Sequence, residues 1–278
     1  MIHDDDYNFI VQLIEKQSGI DLGASGHYLV DARLSNLARE LGLAGADVLI
    51  ANLKKNVNKQ LTTCVVGAMT TNESLFFRDG KPFQLLTERL IPYLLEARKN
   101  VKTIRIWSAA CSTGQEPYSI AICLLEKFPQ VKDWKIEILA TDLCQKVIER
   151  AKLGTFTSLE VSRGLPKEYL LKYFTETADG YVVRESVKKF VVYRELNLIE
   201  SFSHLGIFDI IFCRNVLIYF NLDLKRKILD GISSLLATDG YLFLGGAEST
   251  TGICNLLERV TAEDGIVFRK TTAIKNAI

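Results

Sequence analysis

Polar side chains follow three apolar, strand-like runs of this 278-residue chain. Glu116 comes shortly after the run IRIWSAA, Asp142 closes the run ILATD, and Arg214 and Asn215 follow the run FDIIFC. The carboxyl ends of parallel strands meet at one edge of a sheet, and ligands bind outside that edge. An Arg-Asn pair at the end of a buried strand is seldom needed for packing. We therefore predict that these four residues contribute to a ligand site.

The turn after the first run, SAACSTGQEP, has one glycine where phosphate-binding loops usually have three. Three glycines let the backbone approach a pyrophosphate closely, and a ligand without phosphate has less need of them. Small residues still leave room for such a ligand, and we expect Gly114 to adopt a positive φ. S-adenosylmethionine, an adenosine joined to an amino acid through a sulfonium, is a ligand of this type. Glu116, at the start of the next predicted helix, would face its cationic end.

Asp142 has two compatible interpretations. A carboxylate at the end of the second strand can accept hydrogen bonds from both hydroxyls of a ribose. The same residue could also be, or could only be, the N-cap of the helix predicted for CQKVIERAK.

The segment TTNESLFFRD is a further candidate for the site. Asn72, Ser74 and Arg78 are interspersed with apolar residues here, and the alternative is a capped helix start with a surface arginine. Tyr219 follows Asn215 closely, and its alternative role is that of a core aromatic residue.

From Thr103 onward, short apolar runs alternate with helix-like stretches, which is typical of a parallel sheet covered on both faces. Near the end, LERVTAEDGIVFRK predicts a hairpin at Asp264-Gly265, and hence an antiparallel terminal strand. An inserted antiparallel β-subdomain is predicted at about residues 170–190, with Asp179-Gly180 as its turn. The fold class is therefore α/β, with a doubly wound, Rossmann-like sheet.

Residues 1–90 are predicted to form an all-helical N-terminal domain, and residues 91–278 a catalytic domain. Apolar residues recur at helical spacing in two stripes. The stripes are Ile10, Leu13 and Ile14, and then Leu34, Leu37, Ala38 and Leu41.

The bulk composition excludes several classes of protein. A formal net charge of +1 creates no strong field for nucleic acid. The acidic N-terminus is not a secretory signal, and no run of about 20 apolar residues could cross a bilayer. The six cysteines are scattered without a C-x-x-C pair, so we expect free, buried thiols and no metal site. These features predict a cytoplasmic protein without membrane insertion, and we expect a monomer.

Together these stretches resemble the chemotaxis receptor methyltransferases, the CheR family. The similarity covers nearly the whole chain, with its motifs in the same order. These motifs are TTNESLFFRD, IWSAACSTGQEPYSIA, ATDLCQKVIERAKLGTF, the pair Asn197-Leu198, and FDIIFCRNVLIYF. The resemblance implies a methyltransferase fold and transfer of a methyl group from S-adenosylmethionine to glutamate side chains of chemoreceptor cytoplasmic helices. The products would be glutamyl methyl esters and S-adenosylhomocysteine.

The resemblance also implies roles for individual residues. The implied cofactor-binding residues are Asn72, Ser74, Arg78, Glu116, Asp142, Asn197, Leu198, Arg214 and Asn215. Asn197 and Leu198 would flank the adenine, and Arg78 and Tyr219 are the implied catalytic residues. Some members of the family dock on a receptor's C-terminal tail peptide through the inserted β-subdomain. The tight connection expected at Asp179-Gly180 makes tail docking doubtful here.

The expected reaction needs no general base. A glutamate side chain has a pKa near ~4.3, so it is already a carboxylate at neutral pH. Orientation of the reacting groups alone can contribute roughly 7–11 kcal/mol. Arg78 or Arg214 could hold the acceptor carboxylate as a fork. The ring of Tyr219 could face the positive sulfonium.

Features of the sequence disfavour three other functions. An NAD-dependent oxidoreductase is disfavoured by the missing G-x-G-x-x-G pattern and by the terminal hairpin. A module that binds the cofactor without transferring methyl groups is disfavoured by the presence of all four motif clusters. A nucleic-acid methyltransferase is disfavoured by the neutral charge and by the absence of a [DNS]-P-P-Y motif.

Overall fold

The computed structural model describes residues 2–22, 26–55, 59–70, 73–262 and 265–271. Its N-terminal part consists of four helices: α1 (Asp4–Ser18), α2 (His27–Glu40), α3 (Ala46–Lys55) and α4 (Lys59–Met69). The predicted stripes form their core, because Ile10, Ile14, Leu34 and Ala38 are fully buried. Leu41 is the exception. It lies beyond the last residue of α2 and is 43% exposed, so it does not continue the stripe.

The rest of the chain begins with helices and continues with alternating strands and helices. Its elements up to the inserted β-subdomain are α5 (Lys81–Leu85), a π-helical turn (Leu86–Leu90), α6 (Ile91–Ala97), β1 (Thr103–Ala109), α7 (Gln115–Lys127), β2 (Lys135–Asp142) and α8 (Gln145–Leu153). The subdomain contains β3 (Thr155–Phe156), α9 (Ser158–Ser162), α10 (Lys167–Tyr173), β4 (Phe174–Thr177), β5 (Gly180–Val183) and α11 (Glu185–Lys188). After it come β6 (Val191–Glu195), β7 (Phe208–Cys213), α12 (Leu222–Leu235), β8 (Leu236–Leu244), β9 (Leu257–Ala262) and β10 (Gly265–Lys270).

The main sheet has seven strands in the order β6-β2-β1-β7-β8-β10-β9. Strands β6, β2, β1, β7 and β8 are parallel, whereas β10 is antiparallel to both β8 and β9. The predicted doubly wound sheet and its antiparallel terminal strand are therefore confirmed. In the predicted Asp264-Gly265 turn, Gly265 begins β10, and Asp264 lies outside the described residues.

The inserted β-subdomain is confirmed as an antiparallel sheet, but it has three strands in the order β3-β5-β4. Strand β3 was not predicted from the sequence, because two residues are too few to form a recognisable apolar run. Its turn was also placed one residue too late. Thr177 pairs with Gly180, so the two-residue turn is Ala178-Asp179 and Gly180 already belongs to β5. Gly180 lies too close to β3 for a side chain, since a Cβ there would be 2.4 Å from the Phe156 carbonyl oxygen.

Alternating residues of the central strands fill two separate cores, as the two-residue period of a strand requires. Ile106 and Ile138 belong to the core beneath α7, whereas Trp107 and Leu139 belong to the core beneath α12. The helices between residues 81 and 97 pack in the core beneath α7. The division of the chain at residue 90 stays a prediction. The five cysteines other than Cys64 are buried and all six are free, as expected.

Candidate active site

A cavity enclosing about 1230 Å³ of space, open to solvent, lies beyond the carboxyl ends of β1, β2, β6 and β7. Its walls bring together nine of the ten residues predicted for the site. They are Ser74, Arg78, Glu116, Asp142, Asn197, Leu198, Arg214, Asn215 and Tyr219. The tenth, Asn72, lies outside the described residues. Four residues of the N-terminal helical part complete one wall: Ser18, Ile20, Met69 and Thr70.

The loop between β1 and α7 forms the floor of the cavity with an unusual backbone. Gly114 has a φ of 97°, which confirms the prediction, and Ala110 and Ser112 also have positive φ, of 54° and 51°. A left-handed conformation costs a non-glycine residue roughly 1–2 kcal/mol, and such strain is found mainly at functional sites. At Gly114 a Cβ would lie 2.9 Å from the hydroxyl oxygen of Tyr193. Glycine is therefore required at this position by both conformation and space.

Asp142 holds this loop in place. Its Oδ2 accepts a hydrogen bond from the backbone N–H of Ser112 at 2.9 Å, and its Oδ1 accepts one from Cys144 at 3.2 Å. Burial raises the pKa of this carboxyl group, and the backbone N–H donors offset part of that rise. The N-cap interpretation is wrong, because α8 begins at Gln145 with Cys144 as its N-cap. Each oxygen retains acceptor capacity, since a carboxylate has about four lone-pair sites.

Arg214 is the centre of a buried ionic network at the end of β7. Its Nη1 donates to Glu116 Oε2 at 3.0 Å, and its Nη2 donates to Asp79 Oδ2 at 2.5 Å and to the Arg78 carbonyl at 3.0 Å. Glu116 also accepts a hydrogen bond of 2.8 Å from the Ser108 hydroxyl. The Arg214 side chain is only 2% exposed. It therefore joins three segments of chain, which are β7, the start of α7 and the loop before α5.

Arg78 has a different environment. Its guanidinium is half-buried at the cavity wall, and its one hydrogen bond to another described residue is a 3.5 Å contact to the Glu73 carbonyl. At that distance the bond is weak. Of the two arginines in the described lining, Arg78 is the one whose donors are not taken up by strong hydrogen bonds to other described residues.

Asn197 and Tyr219 join the main sheet to the N-terminal helices. The Asn197 side-chain amide donates to the Gln17 carbonyl at 2.7 Å, and the Tyr219 carbonyl accepts from the backbone N–H of Asp21 at 2.8 Å. Tyr219 lies in a short 3₁₀ turn (Leu217–Tyr219) rather than in a helix. The cavity thus depends on contacts between residues about 180 to 200 positions apart in the chain.

Sequence reasoning missed Glu248, whose carboxylate accepts hydrogen bonds from the backbone after β7. Its sequence context, GGAEST, has no pattern that marks a binding residue. The one available signal was its place just after β8, the strand next to β7 in the sheet.

Comparisons with known proteins agree with this geometry. The family model described as "CheR methyltransferase, SAM binding domain" matches residues 72–266, and "CheR methyltransferase, all-alpha domain" matches residues 5–70. The chain belongs to the CheR methyltransferase family. It is an S-adenosylmethionine-dependent methyltransferase, as the sequence motifs implied.

Curated relatives match along almost their full length. The chain is 42% identical to "Chemotaxis protein methyltransferase" of Vibrio anguillarum over 271 residues, which is 96% of this chain and 98% of that protein. It is also 42% identical to "Chemotaxis protein methyltransferase 1" of Vibrio cholerae serotype O1, with the same coverage. "Chemotaxis protein methyltransferase Cher2" of Pseudomonas putida is 40% identical, over 92% of this chain and 94% of that protein.

The charges of the cavity fit this cofactor. Its lining contains three acids, Glu73, Glu116 and Asp142, and two bases, Arg78 and Arg214. Arg214 is paired with Glu116 and with Asp79, and Glu73 is paired with Arg163. Asp142 is the acid of this lining for which the structure shows no ion pair among the described residues. The lining therefore has one more acid than bases, which suits a ligand whose sulfonium and ammonium groups outnumber its single carboxylate. Once the methyl group has left, the sulfonium charge is gone, so the same carboxylates attract the product less strongly.

We expect Asp142→Ala to weaken cofactor binding by about 1–3 kcal/mol, because the acceptor predicted for the ribose hydroxyls is lost. The variant should also be less stable, since the N–H groups of Ser112 and Cys144 lose their acceptor. Asp142→Asn is the matched control, as it keeps the shape and one acceptor oxygen. Calorimetric titration with S-adenosylhomocysteine measures the affinity. An alanine variant that is folded and has unchanged affinity would exclude the ribose assignment.

Proposed function

We propose that this protein methylates glutamate side chains on the cytoplasmic helices of chemoreceptors, and so acts in the adaptation of chemosensory signalling. The products are glutamyl methyl esters and S-adenosylhomocysteine. The observation that carries the proposal is the meeting of Arg78, Glu116, Asp142 and Tyr219 in one cavity of a CheR-family chain. The relatives' names, which describe chemotaxis protein methyltransferases, support the same substrate class.

In the proposed mechanism the bound cofactor supplies an electrophilic methyl group. Asp142 would accept hydrogen bonds from its ribose, Asn197 and Leu198 would lie beside its adenine, and Glu116 would face its amino group. Ser74 and Asn215 complete the enclosure, and Arg214 supports it through Glu116.

The acceptor glutamate needs orientation rather than activation. Its carboxylate is already ionised at neutral pH, and the described lining of the cavity contains no histidine that could act as a base. Arg78 holds this carboxylate through the donors that it does not use within the protein. The grip has to remain modest, because binding the ground state as tightly as the transition state gives no gain in rate. Tyr219 shapes the channel through which the carboxylate approaches.

Labelled cofactor and recombinant receptor cytoplasmic fragments test the proposal. We expect label in the fragment that is released by mild alkali, as a methyl ester should be. Fragments in which the candidate glutamates are replaced by alanine are the control. Alkali-stable label, or label retained after these replacements, would exclude glutamate as the acceptor.

We further propose that the protein works in the cytoplasm, as a monomer. Among the residues that the structure describes, no helix is both long and apolar enough to cross a membrane. Sedimentation at micromolar concentration tests the oligomeric state, and a dimer that survives dilution would contradict it.

Tail-peptide docking is not expected for this protein. Binding by strand addition needs an open sheet edge and a surface that holds the peptide's side chains. Strand β4 is an edge strand, with Thr175, Glu176 and Thr177 exposed, but it is four residues long and its turn has only two residues. Removing a receptor's C-terminal tail should therefore leave its methylation rate unchanged. A micromolar complex with a free tail peptide that Thr175→Pro in β4 abolishes would show that docking occurs.

A further inference from the structure

Glu248 lies in the segment that follows β8, at the edge of the sheet where the cavity opens. Strands β7 and β8 are parallel neighbours, with Cys213 opposite Leu244. The segments that leave them therefore run side by side. A short turn, closed by a 2.9 Å hydrogen bond from the Glu248 N–H to the Gly245 carbonyl, directs the Glu248 side chain toward the segment after β7.

The Glu248 carboxylate accepts four backbone hydrogen bonds. Its Oε2 accepts from Gly245 at 2.6 Å and from Asn215 at 2.8 Å. Its Oε1 accepts from Val216 at 2.9 Å and from Leu217 at 2.7 Å. A carboxylate has about four lone-pair sites, so its capacity is used completely, and none remains for a ligand. Bonds to an ionised acceptor are also stronger than neutral ones.

Three of these donors, the N–H groups of residues 215–217, are consecutive. They lie where the chain leaves β7 and enters the short 3₁₀ turn. Asn215 has a φ of 60°, in the left-handed region, which asparagine adopts more readily than most residues with a side chain. Successive N–H groups in such a turn form a concave site for an anion. In many proteins a bound ligand fills that site, whereas here the chain supplies its own carboxylate.

Gly245 is fitted to the same arrangement. A Cβ at this position would lie 2.6 Å from Nδ2 of Asn215 and 2.8 Å from Oε2 of Glu248. The Gly245 turn and the segment after β7 are therefore too close together for any side chain at position 245. The segment held in this way contributes Asn215, Val216, Ile218 and Tyr219 to the cavity wall.

We propose that Glu248 is a positioning residue for methyl transfer, which acts by fixing Asn215 and Tyr219 at the mouth of the cofactor cavity. The proposal rests on the methyl-transfer function proposed above. Methyl transfer requires an in-line arrangement, and a displacement of about 1 Å can cost roughly 10²-fold in rate. Glu248 does not touch the ligand itself, since its four acceptor sites are occupied by the backbone.

Glu248→Gln tests this inference, because glutamine has the same shape but turns an NH₂ group toward two N–H donors. We expect kcat per cofactor-binding site to fall by about 10- to 100-fold. The affinity for S-adenosylhomocysteine should change by less than about fivefold, since Asp142 and Glu116 are untouched. Glu258→Gln is the control, because Glu258 is a glutamate of β9 paired with Arg269 on the surface. A purely structural role would lower the number of binding sites and leave kcat per site unchanged, and that result would overturn the proposal.

Two further measurements keep the inference testable. Gly245→Ala keeps the Glu248 carboxylate but places a Cβ against both Asn215 and Oε2 of Glu248. It therefore pushes the same segment and should lower kcat per site in the same way, even if Glu248→Gln does not fold. Amide hydrogen exchange at residues 215–217 should accelerate in either variant. If the wild-type enzyme methylates no receptor fragment, the proposed function fails. The exchange still decides the positioning role, and unchanged exchange would refute it.

Discussion

Replacing Arg214 by alanine is expected to lower the free energy of unfolding by about 3–5 kcal/mol, the usual cost of breaking a buried ion pair. The guanidinium is 2% exposed and lies between Glu116 and Asp79. Its removal leaves the Glu116 carboxylate, itself 13% exposed, without a cation. The loss at Asp79 is smaller, because that side chain is half-exposed and water can solvate it. Arg214 also packs over the ring of Phe83, and alanine loses that contact too.

Arg78→Ala is the matched comparison. The Arg78 side chain is half-buried and makes only one weak hydrogen bond to another described residue, so the stability should change by less than about 0.5 kcal/mol. Its kcat/KM for the receptor fragment should nevertheless fall roughly 10- to 100-fold, because a charged hydrogen bond to the acceptor carboxylate is worth about 1.5–3 kcal/mol. Urea denaturation and steady-state kinetics on both variants separate the two roles. Equal losses of stability in the two variants would contradict the assignment.

Much of this architecture could be predicted from local patterns. Runs such as KIEILATD are short, apolar and separated by helix-like stretches, so the parallel sheet was predicted correctly. Strand β3 was not predicted, because two residues are too few to form such a run. The conformations of Ala110 and Ser112 were also beyond prediction. No local preference favours a positive φ for these residues, and the folded sheet imposes it on them.

The cavity was predictable to the extent that its residues follow strands. Glu116, Asp142, Arg214 and Asn215 come to one edge because parallel strands end there. The residues that hydrogen-bond to the cavity wall could not be predicted from the sequence. Glu248 is 33 positions from Asn215, so that only the order of strands in the folded sheet brings them together. Asn197 contacts Gln17 through a bond that spans 180 positions.

The contact between the helical part and the sheet leads to the second prediction with a large expected effect. Gly19 ends α1 with a φ of 73° and lies against the catalytic part. A Cβ at this position would be 2.2 Å from Cδ2 of Leu224 and 2.8 Å from Cγ2 of Ile199. The next residue, Ile20, lines the cofactor cavity. A shift of the backbone at Gly19 that relieves the clash therefore moves a wall of the site.

Gly42 offers a matched control within the same chain. It follows α2 with a φ of 71°, almost the value of Gly19, but nothing lies within 4 Å of the place where its Cβ would be. Gly42→Ala should therefore cost only the conformational term, about 1–2 kcal/mol of stability. Gly19→Ala should cost about 1–3 kcal/mol more, the usual penalty for overpacking.

The two variants should differ most in cofactor binding. The clash at Gly19 displaces Ile20 and the Asp21 N–H that donates to the Tyr219 carbonyl. We expect the affinity for S-adenosylhomocysteine to fall at least tenfold in Gly19→Ala, equal to about 1.4 kcal/mol, and to stay unchanged in Gly42→Ala. Calorimetry below the melting temperature of both variants measures the difference. Equal affinities of the two variants would mean that the position of the helical part does not affect cofactor binding. A selective loss in Gly19→Ala would show that the site is built from both parts of the chain.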